Sequence, residues 1–307
     1  MIRLLARWSI LLTLAIGFPG VALAQRAPNI AAASDLRLAL TEVAAAFRRD
    51  TGQEVTLTFG SSGNFFRQLQ QGAPFQLFLS ADEGYALDLV KAGKTMDDGR
   101  LYAIGRLAIV APKGSALRVD GNLAGLQAAL RRGRITRFAI ANPEHAPYGK
   151  RAGEALRRAR LWAPLAGKLV LGENVSQALQ FATAGGAQGG IVAYSLVLDP
   201  AFAARANYAL LPASWHQPLR QRMVLMKGAG SVARRFYTYV QQPSARRIFV
   251  RYGFALPGEA RSLASSVGQE LLEILEFRAI AEAAGGRSDE AIRAVERALE
   301  AADRIPN

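Results

Sequence analysis

The sequence predicts an α/β chain with mainly parallel sheets flanked by helices. Three observations predict it. Short apolar or alternating runs recur from about residue 28 to residue 226. Helical periodicity fills several of the gaps between them. Small or polar residues stand repeatedly where a strand hands over to a helix. Strands alternating with helices imply crossover connections, and crossovers imply parallel pairing.

The elements follow in order. Residues 1–24 are a separate object. Arg3 and Arg7 form a positive start, residues 10–18 (ILLTLAIGF) an apolar run, Pro19-Gly20 a break, and Ala22-Leu23-Ala24 an A-x-A cleavage pattern. The run is too short to span a bilayer, so a cleaved signal peptide and an exported chain starting at Gln25 are expected. After a β-like lead-in at Ala31, the residues Leu36, Ala39, Leu40, Val43, Ala44 and Phe47 fall at helical spacing. Val55, Leu57 and Phe59 alternate as a strand. A short helix over 64–71, a strand over 76–80 and a helix over 85–92 come next. Further strands are expected at 107–111, 138–141, 169–171, 190–193 and 223–226, with helices at 149–160 and 176–183. After Leu256-Pro257 the composition changes. Two Ala-rich amphipathic helices are expected over 263–284 and 288–302, split by Gly285-Gly286, with Ser288 placed to cap the second.

Composition narrows the function classes. The chain has 307 residues, half of them hydrophobic, with a net charge of +14 and no cysteine. That excludes disulfides, thiolate metal sites, a Cys nucleophile and a lipid-anchored cysteine. The acidic tail (258–307) carries −4, so residues 25–257 carry +16, a field that attracts anions in general. Nucleic acid is not the expected partner, because no basic block is interleaved with aromatics and the chain carries an export signal.

Four loops share one design: Ala33-Ser34-Asp35, Gly60-Ser61-Ser62-Gly63, Ser80-Ala81-Asp82 and Glu173-Asn174-Val175-Ser176. Each lies between the end of an expected strand and the start of a helix. In open α/β sheets ligands sit outside the carboxyl ends of strands, where first-turn N–H groups are unpaired and favour an anion. Any one loop reads as an ordinary cap; four together read as a site. None contains Arg or Lys, so neutral donors would hold the charge. A fifth loop, "ANPEHAPYG" (141–149), is stiffened by two prolines and offers Tyr148. Its His145, one of two histidines with His216, lacks an evident acid–base partner and reads as structural. Catalytic motifs fail. "GSSG" is not a nucleophile elbow, "GGAQGG" (185–190) lies on the wrong side of a helix for a dinucleotide loop, and no Walker or H-E-x-x-H pattern occurs.

"AAASDLRLAL", "FGSSGNFFRQLQQGAPFQLFLSAD", "ANPEHAPYG", "LGENVSQALQF" and "RYGFALP" occur in this order. In them the chain, over roughly residues 28–257, resembles the periplasmic molybdate-binding proteins of ABC transporters. That resemblance implies a two-lobed type II periplasmic binding protein with a tetrahedral oxyanion in the cleft. Lobe 1 would span 25–105 and return over 217–257, lobe 2 would span 106–216, and 258–307 would be a helical extension. Ser34 and Ser62 would supply hydroxyl and backbone donors, Ala81 and Val175 backbone N–H groups. Ser61 is the alternative to Ser62. Many family members carry a Tyr in the stretch matching "GGIVAYS"; here Ala193 takes that place and Tyr194 follows it. Adjacent strand residues face opposite ways, so Tyr194 reaches the cleft only if the strand bulges or shifts register, and Tyr148 is the expected replacement phenol. Asp35 would repel an oxyanion, so it is expected to cap locally or face solvent. The resemblance implies molybdate or tungstate as ligand, no cofactor, no enzymatic activity, a monomer, and delivery to an inner-membrane permease with closure of the lobes through the crossings near 104–108 and 217–223. Another oxyanion such as sulfate or phosphate, or a sensor signalling through the acidic tail, are the alternatives.

Overall fold

The computed structural model describes residues 27–199, 202 and 204–257. The expected signal peptide and the expected helices of 258–307 lie outside the described residues. Two five-stranded sheets form two lobes. The first has the order β2 (Thr56–Gly60), β1 (Asn29–Ala33), β3 (Leu77–Ser80), β10 (Leu219–Leu225), β4 (Arg100–Gly105). The second has the order β7 (Leu169–Gly172), β6 (Phe138–Ala141), β8 (Gly190–Ala193), β5 (Leu107–Pro112), β9 (Ala206–Leu210). In each, three adjacent strands run parallel: β2, β1 and β3, and β7, β6 and β8. The strands at the crossings, β10 and β5, run antiparallel to both their neighbours.

Local sequence explains the layering. β1 reads NIAAA and its last four residues are buried. Ile30 and Ala32 face a core built with Leu36, Leu40, Phe47, Phe236 and Phe249. Ala31 faces the opposite core of Phe65, Leu69, Phe78 and Leu89. Small side chains on a central strand let helices approach both faces. On one side lie α1 (Arg37–Thr51) and the helices Ser231–Val240 and Pro243–Arg251; on the other lie α2 (Ser62–Gln70) and α3 (Glu83–Lys91). Phe47 packs edge-on against Phe236 and Tyr239 at 5.2 and 5.3 Å. In lobe 2, α4 (Ala124–Arg131), α5 (Pro147–Arg158), the short α6 (Trp162–Leu165) and α7 (Val175–Thr183) surround strands whose Ile109, Phe138 and Ile140 are fully buried.

The chain passes between sheets at Arg106, between β4 and β5, and again over 211–218, between β9 and β10. Every loop singled out by its small and polar residues leaves the carboxyl end of a parallel strand: β1, β2 and β3 in one lobe, β6 and β7 in the other. The lobes present these ends to each other.

Candidate functional site

Ser34, Ser61, Ser62, Ala81, Tyr148 and Val175 line one pocket between the lobes. The pocket is tight, with a cavity of about 10 Å3, room for about one water. No Arg, Lys or His lines it, and its one ionisable carboxyl is Asp35.

Helix starts build the walls. Ser61 caps α2 by accepting from the Asn64 N–H at 3.3 Å, and Asn174 caps α7 by accepting from Ser176 and Gln177. Ser62 and Val175 are then the first residues of these helices, and Tyr148 is the second residue of α5, behind Pro147. A helix offers its first-turn N–H groups no acceptor. Three amides from both lobes are thus available to a ligand, with the positive ends of three helix dipoles behind them.

The hydroxyls divide by how they are already used. Ser61 Oγ lies 2.9 Å from both the His145 carbonyl and His145 Nδ1, so its proton is committed to lobe 2. Ser62 Oγ accepts the Ala81 N–H at 3.0 Å, a bond that leaves its own proton to give. Ser34 Oγ accepts from the Ser176 N–H at 3.3 Å and likewise keeps its proton. Of the two neighbouring serines, Ser62 is therefore the one with a hydrogen to give. Ala81 acts here by orienting Ser62.

Asp35 corrects the expectation of a cap or a solvent-facing carboxylate. Ser34–Leu36 form a 3-10 turn with no side-chain cap, and Asp35 is fully buried in the pocket wall. Its Oδ2 accepts from the Tyr148 hydroxyl at 3.0 Å and from Gln221 Nε2 at 2.7 Å. Gln221 Oε1 in turn accepts from the Tyr102 hydroxyl at 2.9 Å. Asp35 Oδ1 is buried without a partner. Burial pushes the carboxyl up to about 6, the bonds from Gln221 and Tyr148 pulling the other way. Burial also raises the Tyr148 and Tyr102 phenols, with the Asp35 charge adding to it. The Tyr148 phenol is thus spent on Asp35, which corrects its expected role as a replacement ligand hydroxyl; its backbone N–H is what remains. Gly105, at the first crossing, is required here, since a Cβ would lie 2.2 Å from Tyr148 Oη.

Tyr194 is the expected site residue that the structure does not bring to the pocket. β8 pairs with β5 in unbroken register through Ala193, so no bulge turns the next residue inward. Tyr194 instead opens the short helix α8 (Tyr194–Val197). Its ring lies under the Arg106 guanidinium at 5.6 Å and against Tyr208 at 5.9 Å.

The lobes are fastened across the cleft. Besides the Ser61–His145 and Tyr148–Asp35 bonds, the Gly63 N–H donates to the His145 carbonyl at 2.9 Å. Ser176 Oγ donates to the Ser34 carbonyl at 3.0 Å, and Ser195 Oγ to the Asp35 carbonyl at 2.8 Å. Gly63 permits the first contact, because a Cβ would meet that same carbonyl at 2.6 Å.

Residues 28–255 match the family described as bacterial extracellular solute-binding protein. The chain belongs to that family. Among its relatives, the molybdate-binding protein ModA of Rhodobacter capsulatus is 35% identical over 223 residues, covering 69% of this chain and 82% of the relative. The molybdate-binding protein ModA of Azotobacter vinelandii is 32% identical over 250 residues, covering 80% of this chain and 97% of the relative. A solved periplasmic molybdate-binding protein of Azotobacter vinelandii superimposes with a TM-score of 0.68 at 28% identity, over 75% of this chain and 99% of the other. The two-lobed type II binding-protein fold is shared with it.

Sequence reading missed several residues that shape the site. Gln221 sits on β10, where the register shifts between Gln221 and Arg222; a bulge of this kind re-aims a side chain, and nothing in "LRQRMVL" marks it. His145, expected to lack an acid–base partner, has Ser61 on Nδ1 and Glu173 at 3.5 Å from Nε2, and it joins the lobes. Ser176 and Ser195 are long-range partners with no local signature.

Proposed function

We propose that this chain is the periplasmic receptor that captures molybdate and hands it to an ABC-transporter permease in the inner membrane. The observation that carries the proposal is a pocket at facing helix starts, lined by neutral donors and no cation, in a chain whose relatives are molybdate-binding proteins. Burying a dianion is costly unless hydrogen bonds replace its hydration. The Ser34 and Ser62 hydroxyls and the Ser62, Tyr148 and Val175 amides supply that replacement, three from lobe 1 and two from lobe 2. Ser61 and Ala81 hold the donors in place. Binding from both sides favours the closed arrangement of the lobes, with motion at Arg106 and over 211–218. Tungstate, of the same charge and shape, fits the same donors. The receptor acts as a monomer and is exported by removal of residues 1–24.

Isothermal titration of the mature chain with molybdate, tungstate, sulfate and phosphate tests this. Tight binding of molybdate or tungstate is expected. Tight binding of sulfate or phosphate, with no heat from either of the others, would overturn it.

A further inference from the structure

A receptor for dianions has a carboxyl group in its pocket wall. Asp35 is fully buried and lines the same space as the donors. Its two oxygens are not equivalent. Oδ2 accepts two hydrogen bonds, from Tyr148 and Gln221. The Gln221 amide is oriented by Tyr102, which donates to its oxygen, so the nitrogen must face Asp35. Oδ2 is therefore held as an acceptor, and Oδ1 is left buried with no partner.

We propose that Asp35 is a proton-linked ligand residue: it takes up one proton on Oδ1 as the oxyanion enters and donates it to an anion oxygen. The balance is simple. One solvent proton and one dianion are bound together, the carboxylate becomes a carboxylic acid, and no covalent bond of the anion changes. The physical reason is that a carboxylate and a dianion repel strongly in a dry pocket, whereas a carboxylic acid turns the repulsion into a further donor. The free protein is poised for this, since burial, opposed by the bonds from Gln221 and Tyr148, leaves the carboxyl at about 6.

Among the described residues no other ion near Asp35 is free to neutralise the anion. Tyr102 on β4 and Tyr148 on α5 are the titratable groups against Asp35, and both are pushed further toward the neutral form. Ser195 on α8 and Gln221 on β10 are neutral. Arg151 is tied to Asp82 and Glu154, Arg220 and Arg222 to Glu83, and His145 faces Ser61 and Glu173.

The inference rests on the oxyanion reading above. Its test is calorimetric titration of the full mature chain with sodium molybdate between pH 6 and 8, repeated in two buffers of different ionisation enthalpy. With a midpoint near 6 in the free protein, the apparent Kd is expected to rise about 50-fold over that range, with close to one proton taken up per anion above pH 7. Asp35→Asn should bind with less than about threefold change over the range and take up no proton. A flat wild-type profile without proton uptake overturns the inference, and so does uptake that survives in Asp35→Asn. If that variant does not fold, the wild-type proton count decides alone. Absence of molybdate binding at every pH overturns the receptor reading itself, which keeps the two failures distinct.

Discussion

Replacing Ser34 by Ala removes one hydroxyl and disturbs little else. Among the described residues the only bond Ser34 Oγ accepts is a long one, 3.3 Å from the Ser176 N–H, and that amide is also satisfied by Asn174 Oδ1 at 3.0 Å. No buried group is orphaned. The Ser34 carbonyl, which accepts from Ser176 Oγ, is unaffected. What is lost is the donation to the anion. A hydrogen bond to a charged partner contributes about 1.5–3 kcal/mol, so the molybdate Kd should rise roughly 10- to 150-fold. The unliganded protein should unfold within about 0.5 kcal/mol of wild type, as for a substitution that leaves nothing unpaired. Calorimetric titration and thermal unfolding without ligand together read both quantities. A Kd within about twofold of wild type would refute the claim that Ser34 turns its proton to the anion. A large loss of unliganded stability would refute the bookkeeping of its partners.

Other expectations differ in kind. Ser62→Ala should weaken molybdate binding comparably, yet it should also cost about 1–3 kcal/mol of unliganded stability, because the buried Ala81 N–H loses its acceptor; denaturant unfolding distinguishes it from Ser34→Ala. Tyr194→Phe should leave molybdate affinity unchanged by titration, since the ring packs on Arg106 and Tyr208 outside the pocket. Asp35 sits higher in the fold, near 6, than an ordinary carboxyl near 4. The folded chain therefore keeps a proton that the unfolded chain loses, and stability falls as pH rises through this window. Asp35→Asn should accordingly gain up to about 3 kcal/mol over wild type at pH 8 and little at pH 4.5, read by ligand-free denaturant melts.

The parts of this molecule written locally were legible, and the parts made by distant pairs were not. Strands at Phe138–Ala141 and Gly190–Ala193 fall where their apolar runs lie, and the loop chemistry after β1, β2, β3, β6 and β7 pointed to one place. β4 and β9 escaped because "RLYAIG" and "ANYAL" mix polar and apolar residues without clean alternation. The two helices over 231–251 were hidden by Arg-rich outer faces. Within the site, composition at strand ends singled out the loops that line the pocket, because helix starts present donors whatever the rest of the chain does, while the individual residues came from the family resemblance. The orientation of hydroxyls was not readable. It depends on His145, 84 residues from Ser61, and on Gln221, 186 residues from Asp35. For the same reason Asp35 looked like a local cap when it is the centre of a buried network.

The position of β10 bears on how the molecule is assembled. Lobe 2 is one continuous stretch, whereas the sheet of lobe 1 has a strand from near the end of the described chain wedged between β3 and β4. Until that strand arrives, β4 has no neighbour in its sheet and Asp35 has no Gln221. A chain made amino-terminus first can thus complete lobe 2 while lobe 1 is still open. The binding cleft closes up last, so only a finished receptor can carry cargo.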